Sequence, residues 1–160
     1  MKKVRLGDYI ELCDERNTNG IYGADDVRGI STNKALIDTK ANLDGVPLTS
    51  YKVINPTEFV YVADTSRRGD KIALALNDSK FSYIVSSIYT VFRSKDENQL
   101  LPEYLYILLS RNEFDRYSRF NSWGSARETF DWSEMCRVEI PLPSIEVQRE
   151  LVSVYGGLKA

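Results

Sequence analysis

Along the first two thirds of the chain, apolar positions come in short runs separated by polar or glycine-containing breaks; only in the last third do they recur at helical spacing. Leu6 to Leu12 begins an ordered element, and Asp14 to Asn19 is a polar connection ending at Gly20. Val27-Arg28-Gly29-Ile30-Ser31 predicts a short strand, and a loop around Thr39 to Pro47 follows, carrying Lys40, Asn42, Asp44 and Gly45. Tyr51–Ile54 and Phe59–Val62 read as a strand pair flanking Asn55-Pro56-Thr57, a turn whose proline fixes φ. Lys71–Leu76, Phe81–Ser86 and Tyr89–Phe92 also predict strands, the last two dominated by β-branched and aromatic residues. Asn77–Lys80 is the turn between the first two.

The helices come late. Pro102 suits a first helical position and Glu103 the positive end of the dipole. Leu101, Leu105, Leu108 and Asn112, with Tyr104 and Ile107, repeat at helical spacing and predict a helix to about Tyr117 with a core-facing stripe. Asp131-x-x-Glu134 is a capping-box pattern for one short helix. Val138, Ile140 and Leu142 alternate as a strand that Pro143 ends. Ser144 then caps a helix bearing Ile145, Gln148, Leu151, Val152 and Tyr155, which stops at Ala160 with little to pack against and reads as truncated. The sum is an α+β fold: a twisted, mostly antiparallel sheet over residues 1–143 with late helices, and the start of a further helix over 144–160.

Composition narrows the chemistry. The 160 residues are 42% hydrophobic and 28% charged, which suits one folded domain. No apolar run approaches the roughly 18 residues that span a membrane, and Gly7, Asp8 and Glu11 interrupt the stretch where a signal peptide needs its apolar core. A cytoplasmic protein is expected. There is no histidine, so the commonest general base and metal ligand is missing. Cys13 and Cys136 lie far apart and read as reduced, partly buried thiols. Neither a dinucleotide-binding nor a Walker-type glycine loop occurs.

Lys plus Arg is 21 against 23 Asp plus Glu, a net of −2 that argues against free-standing affinity for nucleic acid. The charge is uneven: residues 67–127 hold 10 basic and 7 acidic groups, while both flanking stretches are net acidic. Phosphate affinity follows the local field rather than the total.

Two basic runs fall in that middle stretch. Ser66-Arg67-Arg68-Gly69-Asp70-Lys71 has a glycine that lets backbone amides approach a phosphate and arginines that fork onto it; a plain solvated loop is the rival reading. Arg116-Tyr117-Ser118-Arg119-Phe120-Asn121-Ser122-Trp123-Gly124-Ser125-Ala126-Arg127 combines charge, short hydrogen-bonding arms and glycine. The candidate nucleic-acid-contacting residues are therefore Arg67, Arg68, Lys71, Arg116, Arg119, Asn121, Ser122, Ser125 and Arg127. Phe120 and Trp123 read instead as core plugs, and Arg127 has a structural alternative in pairing with Glu128 or Asp131. Asn55-Pro56-Thr57-Glu58-Phe59 superficially resembles the motif with which amino-methyltransferases hold a flipped adenine, but it lacks the second proline and reads as a strand-joining turn.

The order of these pieces resembles one target-recognition domain of the specificity subunits of type I restriction-modification systems. The resemblance rests on Leu6-Gly7-Asp8-Tyr9-Ile10, the Tyr51–Tyr61 segment, Val85–Phe92, Leu101-Pro102-Glu103-Tyr104-Leu105, the Gly124–Trp132 loop, and Ile140-Pro141-Leu142-Pro143 followed by Gln148. It covers about one half of such a subunit and shows no internal repeat. It implies double-stranded DNA as ligand and a loop containing Ser125 and Arg127 beside it. It implies a helix beyond Ser144 that acts as a spacer and offers a route to a homodimer. It further implies a partner methyltransferase subunit that flips an adenine and uses S-adenosylmethionine, and a restriction and translocase subunit that uses ATP and magnesium. No catalysis and no cofactor are then expected of this chain itself. Two alternatives stay open: the recognition part of a fused restriction-methylation enzyme, and a protein-interaction module without a DNA role.

Overall fold

The computed structural model describes residues 2–31, 33–38, 47–63, 72–111, 113–117 and 130–159, with side chains to residue 155. Among the described residues ten strands fall in chain order: β1 (Lys3–Arg5), β2 (Ile10–Cys13), β3 (Arg28–Ile30), β4 (Leu36–Asp38), β5 (Lys52–Ile54), β6 (Phe59–Tyr61), β7 (Leu74–Leu76), β8 (Tyr83–Val85), β9 (Thr90–Ser94) and β10 (Glu139–Pro141). Helices α1 (Pro102–Leu109), α2 (Trp132–Arg137) and α3 (Ile145–Lys159) lie late, as the spacing predicts, with an additional helical turn over 113–117. The strands form one four-stranded sheet, in the order β2-β9-β6-β7, and three pairs, β1-β10, β3-β4 and β5-β8. The ladders β1-β10, β3-β4, β5-β8, β6-β7 and β6-β9 are antiparallel, so the α+β class holds, with the sheet divided into four.

Two sequence expectations are corrected. Tyr51–Ile54 and Phe59–Val62 do not pair with each other: β5 pairs with β8, and β6 lies between β7 and β9. The Asn55–Thr57 turn therefore hands the chain from one sheet to another. Thr57 there takes a φ of +69°, and its N–H donates to the Asn77 carbonyl at 2.8 Å instead of closing a hairpin. Asn77–Lys80 likewise connects β7 and β8, which belong to different sheets. The helix expected to reach Tyr117 stops at Leu109. At its end the Ser110 hydroxyl donates to the Tyr106 carbonyl at 2.6 Å, a local bond that competes with helix propagation.

The chain divides into two compact units. The first comprises residues 1–11, 63–72 and 93–160. In it β1 and β10 pair, the 3-10 turn Leu6–Asp8 packs on α2, and α1 packs on α3. Gly7 makes the turn's contact possible, because a Cβ there would stand 2.7 Å from the Cys136 Cβ. Leu6, Leu100, Leu105, Phe130 and Met135 are fully buried. Gln148 of α3 is fully buried; it accepts from the Leu101 N–H at 2.9 Å and donates to the carbonyls of Gln99 and Pro143 at 2.8 and 3.0 Å. Beyond it Val154 and Tyr155 are exposed.

The second unit comprises residues 12–62 and 73–92. Ile30, Ile54, Val60, Val62, Val85 and Val91 form its main cluster, and Val27, Val53 and Ile84 a second one. Phe59 and Phe92, opposite each other in the ladder, stack with centroids 5.0 Å apart. Neither Cys13 nor Cys136 forms a disulfide, and both are of intermediate burial, as expected.

Candidate nucleic-acid interface

Of the nine residues singled out from the sequence, Arg116 is described; it is exposed on the turn over 113–117. Arg67, Arg68, Lys71, Arg119, Asn121, Ser122, Ser125 and Arg127, with Phe120 and Trp123, lie outside the described residues. The residues that bracket the two basic segments are described, and they are joined. The Phe130 N–H donates to the Ala63 carbonyl at 2.7 Å, tying the residue after 118–129 to the residue before 64–71. The Ile72 N–H donates to Asp115 Oδ1 at 3.1 Å, tying the residue after 64–71 to the turn that bears Arg116. Asp115 is 5% exposed and Phe130 fully buried. A buried N–H that lost its acceptor would be left with a desolvation penalty, so these bonds hold the four flanks together.

Aromatic packing fixes the same place. Phe130 meets Phe114 edge-on at 5.9 Å and Tyr117 at 6.1 Å. Burial raises the Tyr117 phenol above its ordinary value, with Glu134 and Glu139 adding and Arg137 and Arg5 opposing. On the far side of Phe130, Asp131 Oδ1 accepts from the Ser133 hydroxyl at 2.7 Å and from the Glu134 N–H at 3.1 Å, capping α2. Those two bonds, the Ser133 hydroxyl first, hold the Asp131 carboxyl below its ordinary value. The sequence points to the Asp131 cap; it gives no sign that Ala63, Ile72 and Asp115 are its neighbours in the anchor, because backbone acceptors carry no residue signature.

Beside this anchor a groove of about 530 Å³ opens between α1, the 113–117 turn and β10. Leu108, Phe114 and Ile140 are among its apolar lining, and Lys3, Arg111, Arg137, Glu113 and Glu139 line it as well. Its charges nearly cancel, so it lacks the field of a polyanion site. Among the described residues no group of three or more His, Cys, Asp or Glu is placed to hold a metal ion, and no helix is long and apolar enough to cross a membrane.

The chain belongs to the type I restriction modification DNA specificity domain family, whose model matches residues 1–154. Solved structures share its fold, three of them as follows. One, from work on complex assembly and conformational transition of the type I R-M system, is 20% identical with a TM-score of 0.67, covering 99% of this chain and 42% of that one. The HsdS subunit from Thermoanaerobacter tengcongensis is 16% identical with a TM-score of 0.57, covering 99% of this chain and 37% of that one. The type I restriction-modification system S subunit from M. genitalium is 11% identical with a TM-score of 0.61, covering 99% and 38%. This chain thus spans about two fifths of the structures it resembles. No curated protein matches its sequence.

Proposed function

We propose that this chain is the address component of a type I restriction-modification system and reads one half of a bipartite duplex target. The observation that carries this reading is the shared anchor: Ala63 with Phe130 and Ile72 with Asp115 bring together the flanks of two arginine-bearing segments. A pair of tethered basic segments gives phosphate contacts that set register and short polar arms that meet base edges. Arg67, Arg68 and Lys71 serve the first role; Arg116, Arg119, Asn121, Ser122, Ser125 and Arg127 share both.

Chemistry then belongs to partners. A methyltransferase subunit flips an adenine, because the reacting amino group sits inside the stack, and takes its methyl group from S-adenosylmethionine. A restriction and translocase subunit adds ATP- and magnesium-dependent cleavage. The helix α3 carries Val154 and Tyr155 exposed, which suits a spacer that pairs with a second copy or second half.

The test is reconstitution. The chain combined with a cognate methyltransferase subunit transfers labelled methyl groups to duplexes containing one target and leaves scrambled duplexes unmodified. Equal methylation of both, or equal methylation without this chain, would remove the reading.

A further inference from the structure

The connection from β10 to α3 has little slack. Pro141 and Pro143 each lock φ and bring no N–H that needs a partner. The Pro141 carbonyl accepts at 2.8 Å from the hydroxyl of Tyr104, a buried residue of α1. Between the prolines, the Leu142 N–H donates to the Lys2 carbonyl at 3.3 Å, carrying the β1-β10 ladder one step further. Ser144 then caps α3: its hydroxyl accepts from the Val147 N–H at 3.4 Å, and its carbonyl from the Gln148 N–H at 3.0 Å.

Gln148 closes this joint from inside the helix. Its Nε2 donates to the Pro143 carbonyl, the last group before the cap of α3, and to the Gln99 carbonyl. Its Oε1 accepts from the N–H of Leu101, the residue that opens α1. The side chain has no exposure, so these three bonds replace all the water it gave up. Its partners lie on both sides of the joint, two leading into α1 and one leading into α3. A buried polar network satisfied in this way specifies one arrangement, where an apolar side chain of similar volume only fills space.

Direction matters because α3 is a lever. The helix runs to Lys159, and at about 1.5 Å per residue its end lies about 16 Å beyond Gln148. A rock of about 10° at the joint moves that end by about 3 Å, close to the rise of about 3.4 Å per step of duplex DNA. A spacer that keeps two half-sites in register therefore needs a root stiffer than that.

We infer that Gln148 is the positioning residue that sets the direction of α3 and, through α3, the separation at which two half-sites are read. The inference rests on the DNA-reading function proposed above and deepens it. Bases within a half-site are chosen elsewhere; this joint chooses the distance to the next half-site, and the buried Gln148 meets no DNA.

Two readouts on the full chain test it. In a Cys13→Ser, Cys136→Ser background, spin labels at Glu113→Cys and Ser153→Cys, both exposed positions, report the direction of α3 by pulsed electron double resonance. Wild type gives one narrow distance distribution, and Gln148→Met a broad one. Gly7→Ala, which strains the packing on Cys136 away from the joint, stays narrow and controls for lost stability. Should Gln148→Met fail to melt cooperatively, Tyr104→Phe, which removes only the tie to Pro141, takes its place and broadens the distribution less. A distribution as narrow as wild type in the folded variant overturns the inference.

The second readout is methylation by the reconstituted complex of duplexes whose half-sites stand at the native spacing, one base pair closer or one further apart. Wild type favours the native spacing by about tenfold, and Gln148→Met accepts the neighbouring spacings to within about twofold. If wild type is selective for spacing and Gln148→Met equally so, this inference alone falls. If wild type methylates without regard to target, the DNA-reading function falls and the spacing role with it.

Discussion

The Phe130 N–H donates to the Ala63 carbonyl at 2.7 Å, joining residues 67 positions apart at the edges of two segments that the sequence alone marks as basic. Its companion is the buried bond from the Ile72 N–H to Asp115. Asp115→Ala removes that acceptor and lowers unfolding free energy by about 1–3 kcal/mol, whereas Asp115→Asn, which keeps an oxygen in place, loses less. Urea denaturation of both variants checks the order; equal stability would show that the bond does not hold the anchor.

Gly7 faces Cys136 so closely that an added Cβ meets the Cys136 Cβ at 2.7 Å and its carbonyl oxygen at 2.9 Å. Gly7→Ala therefore destabilises by about 1–3 kcal/mol through overpacking. Cys136→Ala does not rescue it, because the Cβ and the carbonyl both remain. A double-mutant cycle in denaturant, with coupling near zero, is the expected result.

Much of this was legible from residue order. The late helices, the Asp131 cap and the β10-to-α3 handover follow from Pro102, Asp131-x-x-Glu134 and Pro143-Ser144, each a local signal with a local cause. The pairing of β5 with β8 was not, since adjacent strands around Asn55-Pro56-Thr57 read as a hairpin and only the buried Asn77 carboxamide and its neighbours say otherwise. Asn77 Nδ2 donates to the Ile54 carbonyl at 3.2 Å and to the Phe81 carbonyl at 2.8 Å, linking segments that no periodicity connects. Arg16 and Lys52 fared the same way: in sequence they are scattered charges, and the bridge between them appears only once the sheet is built.

Asp131 supplies a pH-dependent contribution. Its folded-state pKa is lowered, so its stabilisation is fully present above the ordinary aspartate value of 3.8 and is lost as pH falls through the folded value. Asp131→Ala at neutral pH lowers stability by about 0.5–2 kcal/mol through loss of the cap. The gap between wild type and the variant narrows in acid, below about pH 4. Chemical denaturation at pH 7 and pH 3 measures both, and a constant gap would rule out the ionised cap.

Gln148 ties α3 to the entry of α1 through three backbone groups. Gln148→Ala lowers stability by about 1–3 kcal/mol. Gln148→Glu, which keeps the acceptor for Leu101 and loses both donors, is no better at neutral pH. Thermal melts and amide exchange at Leu101 report the change; protection at Leu101 retained in the alanine variant would contradict the assignment.

The most direct test of the central claim is site-selective methylation by the reconstituted complex, at matched salt, with the melting temperature recorded for each chain. Arg119→Ala and Arg127→Ala are predicted to melt like wild type and to lose about 1–3 kcal/mol of DNA affinity where they meet base edges. A phosphate contact would instead weaken all sequences alike and flatten the salt slope by about one unit. Variants that methylate every target normally while losing several degrees of melting temperature would contradict the account, because the arginine segment would then be a structural element and not the address.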